Sequence, residues 1–195
     1  YLHAGSASPE APLRWKLSSE AGGGVIADLA SHAMDLVHYL LGDFASLSAA
    51  THIAYPDRPS VEQPDKRVPV TAEDSVMMLA RLQSGALGHI EATKIATGVE
   101  DELRLEIHGS KGALRLNSMN PHFLEAFDAT ASASPIGGRQ GWTHIATGQR
   151  YPEPASAFPG PKFSMGWMRA HVACLANFVQ AVGEERQAEP GLEQG

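Results

Sequence analysis

The sequence predicts an α+β domain: a predominantly antiparallel, open sheet with helices packed on one face. Three observations predict it. Strand-like segments follow one another through the middle of the chain in hairpin fashion. Helical patterns lie only near the two ends. No run of strand–helix–strand units, the mark of a parallel sheet, interrupts that order.

Taken in order, residues 1–23 hold Pro9, Pro12 and the run Ala21-Gly22-Gly23-Gly24, and read as an extended arm ending in a glycine hinge. Val25 to Leu41 is the clearest helix, stopped by Gly42. Phe44 to Tyr55 reads as a strand. Residues 56–71, with Pro56, Pro59, Pro64 and Pro69 among charges, read as a loop. Ser75–Leu82, the turn Ser84-Gly85 and Ala86–Ile95 form a hairpin. Leu103–Ile107 alternates strictly, Gly109–Gly112 turns the chain, and Ala113–Leu116 alternates again. Phe123–Phe127 is a further short strand. Residues 129–162 are rich in Gly, Pro, Ala and Ser, with a candidate strand at Trp142–Thr147. Ser164–Val182 is a helix with Met168, Val172, Leu175, Phe178, Val179 and Val182 at helical spacing, and Cys174 inside that pattern reads as core.

Composition bounds the function. A net charge of −7 over 195 residues has the wrong sign for a dedicated nucleic-acid binder. The single cysteine excludes an internal disulfide framework and a cysteine-rich zinc module. No apolar run approaches the roughly 18 residues of a membrane span, and neither end resembles a signal peptide. A cytoplasmic protein without membrane or nucleic-acid partners is expected. Tyr1-Leu2-His3 at one end and Leu192–Gly195 at the other read as cuts within a longer protein.

Gly22-Gly23-Gly24-Val25-Ile26-Ala27 matches G-x-G-x-x-A at the opening of a helix, and Asp57 lies beyond the following strand, as in a dinucleotide fingerprint. Two features oppose that reading. Lys16–Ala21 is too polar for the buried first strand of a parallel sheet, and no second βαβ unit follows.

The helix itself carries a polar stripe. At the regular helical spacing, Asp28, His32, Asp35 and Tyr39 fall within about 60° of one another. Apolar residues fill most of the remaining circumference, so a buried helix is expected, and a buried charge needs a partner. Three readings stand side by side. Asp28 and Asp35 can be solvated, dipole-compensating residues with His32 in the core. Asp28, His32 and Asp35 can coordinate a metal, although no H-E-x-x-H pattern is present. Or Asp28 can orient His32 as a proton acceptor for a substrate hydroxyl.

The segment Gly22 to Gly42 resembles the signature helix of the glucose–fructose oxidoreductase/inositol dehydrogenase/rhizopine catabolism family, roughly G-G-G-x-x-x-D-x-G-x-H-x-x-D-x-x-x-x-x-x-G. Trp15-Lys16 fits the tryptophan–basic pair that precedes it, and Glu102–Leu114 fits the family's strand, G-[ST]-x-G turn and strand. Ala30 departs from the usual Gly. The resemblance implies a two-domain NAD(P)-dependent enzyme that moves hydride between a sugar or polyol and nicotinamide. Residues 1–195 would be its substrate-binding and oligomerisation domain. The Rossmann domain that binds the cofactor, with the family's catalytic lysine, would lie outside the chain, so the chain alone should be inactive. His32 is then the base and Asp28 its partner, Trp15, Lys16 and Lys94 are candidates for the substrate side, and the open sheet face would form a homodimer or homotetramer. No metal is implied. A non-catalytic relative that binds a metabolite or partner, and a metal-dependent lyase or hydrolase using Asp28, His32 and Asp35, are the alternatives.

Overall fold

The computed structural model describes residues 1–136, 138–147, 153–154, 157 and 166–193. The chain forms two compact units, Tyr1–Glu102 and Leu103–Gly195. The α+β architecture is the expected one, but the strands form separate sheets of five, four and two strands instead of one open sheet.

The first unit holds β1 (Leu2–His3), β2 (Phe44–His52), β3 (Asp57–Pro59), β4 (Arg67–Pro69), β5 (Ser75–Leu82), β6 (Leu87–Thr93) and β7 (Asp101–Glu102). The five-stranded sheet runs β2-β5-β6-β1-β7. β1 pairs parallel with β6, Leu2 opposite Thr93, and all its other pairings are antiparallel, so the sheet is mixed. The arm expected to be irregular thus supplies a strand. The expected loop at 56–71 contains the ribbon β3–β4, with Pro59 and Pro69 at strand ends, where a missing N–H costs least.

Alternation on β5 buries Val76, Met78, Ala80 and Leu82 and exposes Met77 and Leu79. Ile90 and Ala92 of β6 join the buried face. Ile26–Ala30 is a single π-helical turn, closed by the bond from the Ser31 N–H to the Ile26 carbonyl, and α1 (Ser31–Leu41) continues from it. Val25, Leu29, Ala30 and Ala33 are buried where these turns meet β6. Tyr39, Leu40 and Leu41 are exposed. The expected all-round burial fails because this unit covers only the first turns of the helix.

The second unit holds β8 (Arg104–Gly109), β9 (Gly112–Asn117), β10 (Phe123–Asp128) and β11 (Trp142–Ala146) in the order β11-β10-β9-β8, and α2 (Trp167–Gly183). Register places Leu105, Ile107, Leu114, Leu116, Leu124, Ala126 and Ile145 on one face, and Glu106, Arg115, Glu125, Trp142 and His144 on the other. On α2, Leu175, Phe178, Val179 and Val182 are exposed, and so is Cys174, against the expectation of a core thiol. Ser164 and Met165, expected in that helix, lie outside the described residues.

Candidate active site

The glycine run is the starting point. Gly22 (φ +75°) and Gly24 (φ +132°) lie in backbone regions that side chains rarely adopt, and a Cβ on Gly23 would run into the backbone of Trp15 and Lys16. The turn therefore folds back against the 3-10 turn Trp15–Leu17, with the Gly24 N–H donating to the Lys16 carbonyl at 3.0 Å. The helix entry is capped from a distance. The Val25 N–H donates to the Glu73 carbonyl at 2.9 Å, and the Ile26 N–H to Glu73 Oε1 at 3.0 Å. A pyrophosphate would need such amides free, and turns instead of a strand precede the glycines. The dinucleotide fingerprint is thus a match in letters only.

The π turn presents Asp28 to two ammonium groups. Lys16 Nζ donates to both carboxylate oxygens at 2.9 and 3.0 Å, and Lys94 Nζ lies 3.1 Å from Oδ2. Lys94, one of the candidates for the substrate side, is buried, and it also donates to the carbonyls of Lys16 and Gly24 at 3.3 Å each. Burial opposes ionisation of Asp28, but the hydrogen bonds and charges of the lysines outweigh it and hold the carboxyl below the usual aspartate range.

His32 lies on the same pocket with its ring 6.2 Å from that of Tyr1. The anticipated Asp28–His32 contact is not made: the carboxylate faces the lysines. The wider π turn breaks the regular spacing on which that pairing rested, and two ammonium groups hold a carboxylate better than an imidazole does. The Tyr1 phenol is pushed up to about 12 by burial, its hydrogen bond to Asp101 and the nearby carboxylate charges.

Lys16, Asp28, His32 and Lys94 line a pocket of about 570 Å³ within the first unit, together with Arg14 and Arg58. Trp15 is off its lining and 59% exposed, with Lys16 Nζ 5.8 Å from its ring centroid. Asp35 is exposed on α1. Among the described residues no three His, Cys, Asp or Glu side chains are grouped to hold a metal ion, so Asp28, His32 and Asp35 do not form a ligand set.

Sequence reasoning missed Tyr1, Arg14, Arg58 and Asp101. Arg58 is fully buried and donates to the carbonyls of Ser6 and Ser8 at 2.6 Å each and of Ala11 at 3.4 Å. It stacks 5.1 Å from the Tyr55 ring, whose hydroxyl donates to the Ala7 carbonyl at 3.0 Å. Together they fasten the arm that forms one pocket wall. The available signal was an arginine between two prolines, too common to separate from a solvated loop.

Comparison with known proteins identifies the family. Residues 2–195 match the family model described as oxidoreductase family, C-terminal alpha/beta domain. Levoglucosan dehydrogenase of Pseudarthrobacter phenanthrenivorans is 30% identical over the whole chain, which covers 52% of that protein. Inositol 2-dehydrogenase of Rhizobium meliloti is 26% identical over 89% of the chain and 43% of its own length. The structure of levoglucosan dehydrogenase with NADH and L-sorbose superposes with a TM-score of 0.88 at 30% identity, over 98% of this chain and 50% of that one. An oxidoreductase domain protein from Kribbella flavida gives 0.88 at 31% identity, over 98% of this chain and 51% of that one. The chain spans about half the length of the two curated relatives named here. It belongs to the glucose–fructose oxidoreductase/inositol dehydrogenase/rhizopine catabolism family of oxidoreductases and corresponds to the C-terminal domain of that family.

Proposed function

We propose that this chain is the substrate-side domain of an NAD(P)-dependent oxidoreductase that transfers hydride between a carbon of a sugar or polyol and nicotinamide, with Asp28 and His32 supplying its acid–base chemistry. The observation that carries the reading is the Lys16–Asp28–Lys94 ion cluster beside His32 in one pocket. Relatives solved with NADH support a nicotinamide cofactor.

Two buried or half-buried lysines hold Asp28 as an anion, so it can accept a hydrogen bond from a substrate hydroxyl without taking the proton. Lys16, half exposed, reaches the ligand directly, and Trp15 stands at the rim. Lys94, enclosed, acts by fixing Asp28 and the glycine turn. His32 takes the hydroxyl proton on an imidazole nitrogen as the C–H bond breaks, the carbonyl forms and the hydride departs with its electron pair. When bound, nicotinamide supplies the ring carbon that accepts that hydride. The glycine turn has its amides engaged, so the dinucleotide phosphates belong to a cofactor-binding domain beyond these residues. The chain alone should therefore bind no dinucleotide tightly and turn nothing over.

Met77, Leu79 and Leu87 are exposed on the outer face of the five-stranded sheet, which supports a homodimer or homotetramer through that face. Light scattering on the full-length protein reads the assembly.

The direct test assays the full-length enzyme on sugars and polyols with NAD and NADP. General acid–base catalysis contributes about 10²–10⁴-fold, so His32→Ala should lower kcat by that order. Undiminished turnover in that variant removes His32 as the base.

A further inference from the structure

Building on the sugar site proposed above, we infer that the pocket takes a sugar bearing an anionic group, a carboxylate or a phosphate, with Arg14 as the principal recognition group and Lys16 as its second. The chain as a whole carries −7. The pocket inverts that sign: Arg14, Lys16, Arg58 and Lys94 line it against only Asp28 and Asp101.

Each charge has a different standing. Lys94 is enclosed against Asp28 and two carbonyls. Arg58 is enclosed by the carbonyls of Ser6, Ser8 and Ala11. Carbonyl dipoles engage its two terminal nitrogens, its Nε has no hydrogen-bond partner, and its unit charge stays in place. Lys16 shares the single carboxylate of Asp28 with Lys94. Asp101 is turned to the Tyr1 phenol.

Arg14 differs from all of these. It lines the pocket, is exposed, and its guanidinium makes no hydrogen bond or ion pair with any described residue. Its backbone is nevertheless fixed: the Leu17 N–H donates to the Arg14 carbonyl at 3.0 Å, and the neighbouring Leu13 N–H to the Pro59 carbonyl at 2.8 Å. A fixed backbone carrying an unengaged guanidinium at the wall of a cationic pocket suits a planar or tetrahedral oxyanion, which the guanidinium fork meets with two parallel N–H bonds. The surrounding positive charge adds to the attraction and to the rate of encounter.

A cofactor phosphate is the other anion that Arg14 could meet, and the experiment separates the two. Matched neutral, carboxylate and phosphate forms of the common hexoses and pentoses (glucose, glucuronate and glucose 6-phosphate as the first set) are titrated calorimetrically into the full-length enzyme loaded with NADH. The affinity of NADH itself is measured in parallel. A charge-assisted hydrogen bond predicts that the best acidic form binds about tenfold or more tightly than its neutral counterpart. Arg14→Met should abolish that preference and leave NADH affinity within about twofold, and Arg14→Lys should keep part of it. A neutral form that binds as well as its acid, the absence of any acid binding, or a loss in Arg14→Met that falls on NADH would each overturn the inference. Failure of the proposed function shows differently: acid-selective binding persists while no sugar, acidic or neutral, is turned over with either nucleotide.

Discussion

In the first unit, alternate residues of β5 and of the end of β6 are buried, and β6 meets the helix that begins at Val25, whereas in the second no side chain of the four described strands is buried. Away from α2, where Arg169 is buried, the polar groups follow the same division. Lys94, Arg58 and Asp74 are buried in the first unit, and each is engaged: Lys94 by Asp28, Arg58 by carbonyls, Asp74 by the Ala54 N–H at 3.0 and 3.1 Å. In the second unit, Glu106 pairs with Arg115 at 2.8 Å and Glu125 with His144 at 2.9 Å, all on an open sheet face. Burial makes an unmet polar group costly, so it forces definite geometry. That is where a site able to hold a carboxylate in one place is found. Solvated pairs carry no such constraint, because water substitutes for either partner.

Truncating the two sheets should expose the contrast most strongly. Met78 is 4% exposed and Leu114 is 42% exposed. Met78→Ala is expected to cost about 2–5 kcal/mol, the range for a core methionine. Leu114→Ala should stay under about 1 kcal/mol, since a large share of its side chain already meets water. Urea unfolding of both variants measures this, and equal losses would show that the second sheet is covered in solution.

Lys94→Met tests the polar side of the contrast. It keeps the aliphatic stem and removes the charge, leaving Asp28 with Lys16 alone. Breaking a buried pair costs about 3–5 kcal/mol when the remaining charge is stranded, and the half-exposed Lys16 should hold the loss to about 2–3 kcal/mol. Asp28 should then titrate closer to an ordinary aspartate. A variant as stable as the parent, with Asp28 unshifted by NMR, would remove Lys94 as the residue that fixes it.

Acid sensitivity separates the units further. The folded chain binds a proton at Asp28 less readily than the unfolded chain does, because Lys16 and Lys94 outweigh the effect of burial. Its contribution is therefore complete above the ordinary aspartate value of about 3.9 and is lost as pH falls through the lowered one, so stability rises with pH across that window. Glu106 is also held low, chiefly by the Arg115 hydrogen bond, but on an exposed face. Concentrated salt should erase the shift at Glu106 and leave most of that at Asp28. Carboxyl titration by NMR at low and high ionic strength reads both.

How legible these features were in the sequence depends on how local they are. β5 matched its reading at both ends, because alternation from Ser75 to Leu82 and the Ser84-Gly85 turn are local signals. β1 and β7 are two residues each and exist only by pairing with one another and with β6, so no local pattern announces them. Asp28, His32, Lys16 and Lys94 were all singled out, and the structure brings them to one pocket. Their wiring was not legible. Regular spacing paired Asp28 with His32, but the π turn at Ile26–Ala30 gives the carboxylate to Lys94, 66 positions away in a chain whose register had to be folded to be known. Arg58 was invisible for the same reason, since its carbonyl partners lie about 50 residues earlier.

The smallest expected effect lies on the open face of the second unit. The Arg115 guanidinium sits 3.8 Å from the centroid of the Trp142 ring, and Phe127 packs against the same indole at 5.8 Å. An exposed cation–π contact contributes about 0.5–1 kcal/mol, so Trp142→Leu, which keeps an apolar side chain on β11, should cost about 1 kcal/mol at most. Arg115 keeps its bond to Glu106 in that variant, because the pair uses Nε and does not depend on the ring. Catalysis at the first unit's pocket should be unmoved, as none of these residues lines it. A loss of several kcal/mol, read by urea unfolding, would mean that this face is as well packed as the core over β5 and β6. The division between a sealed first sheet and a solvated second one would then fail.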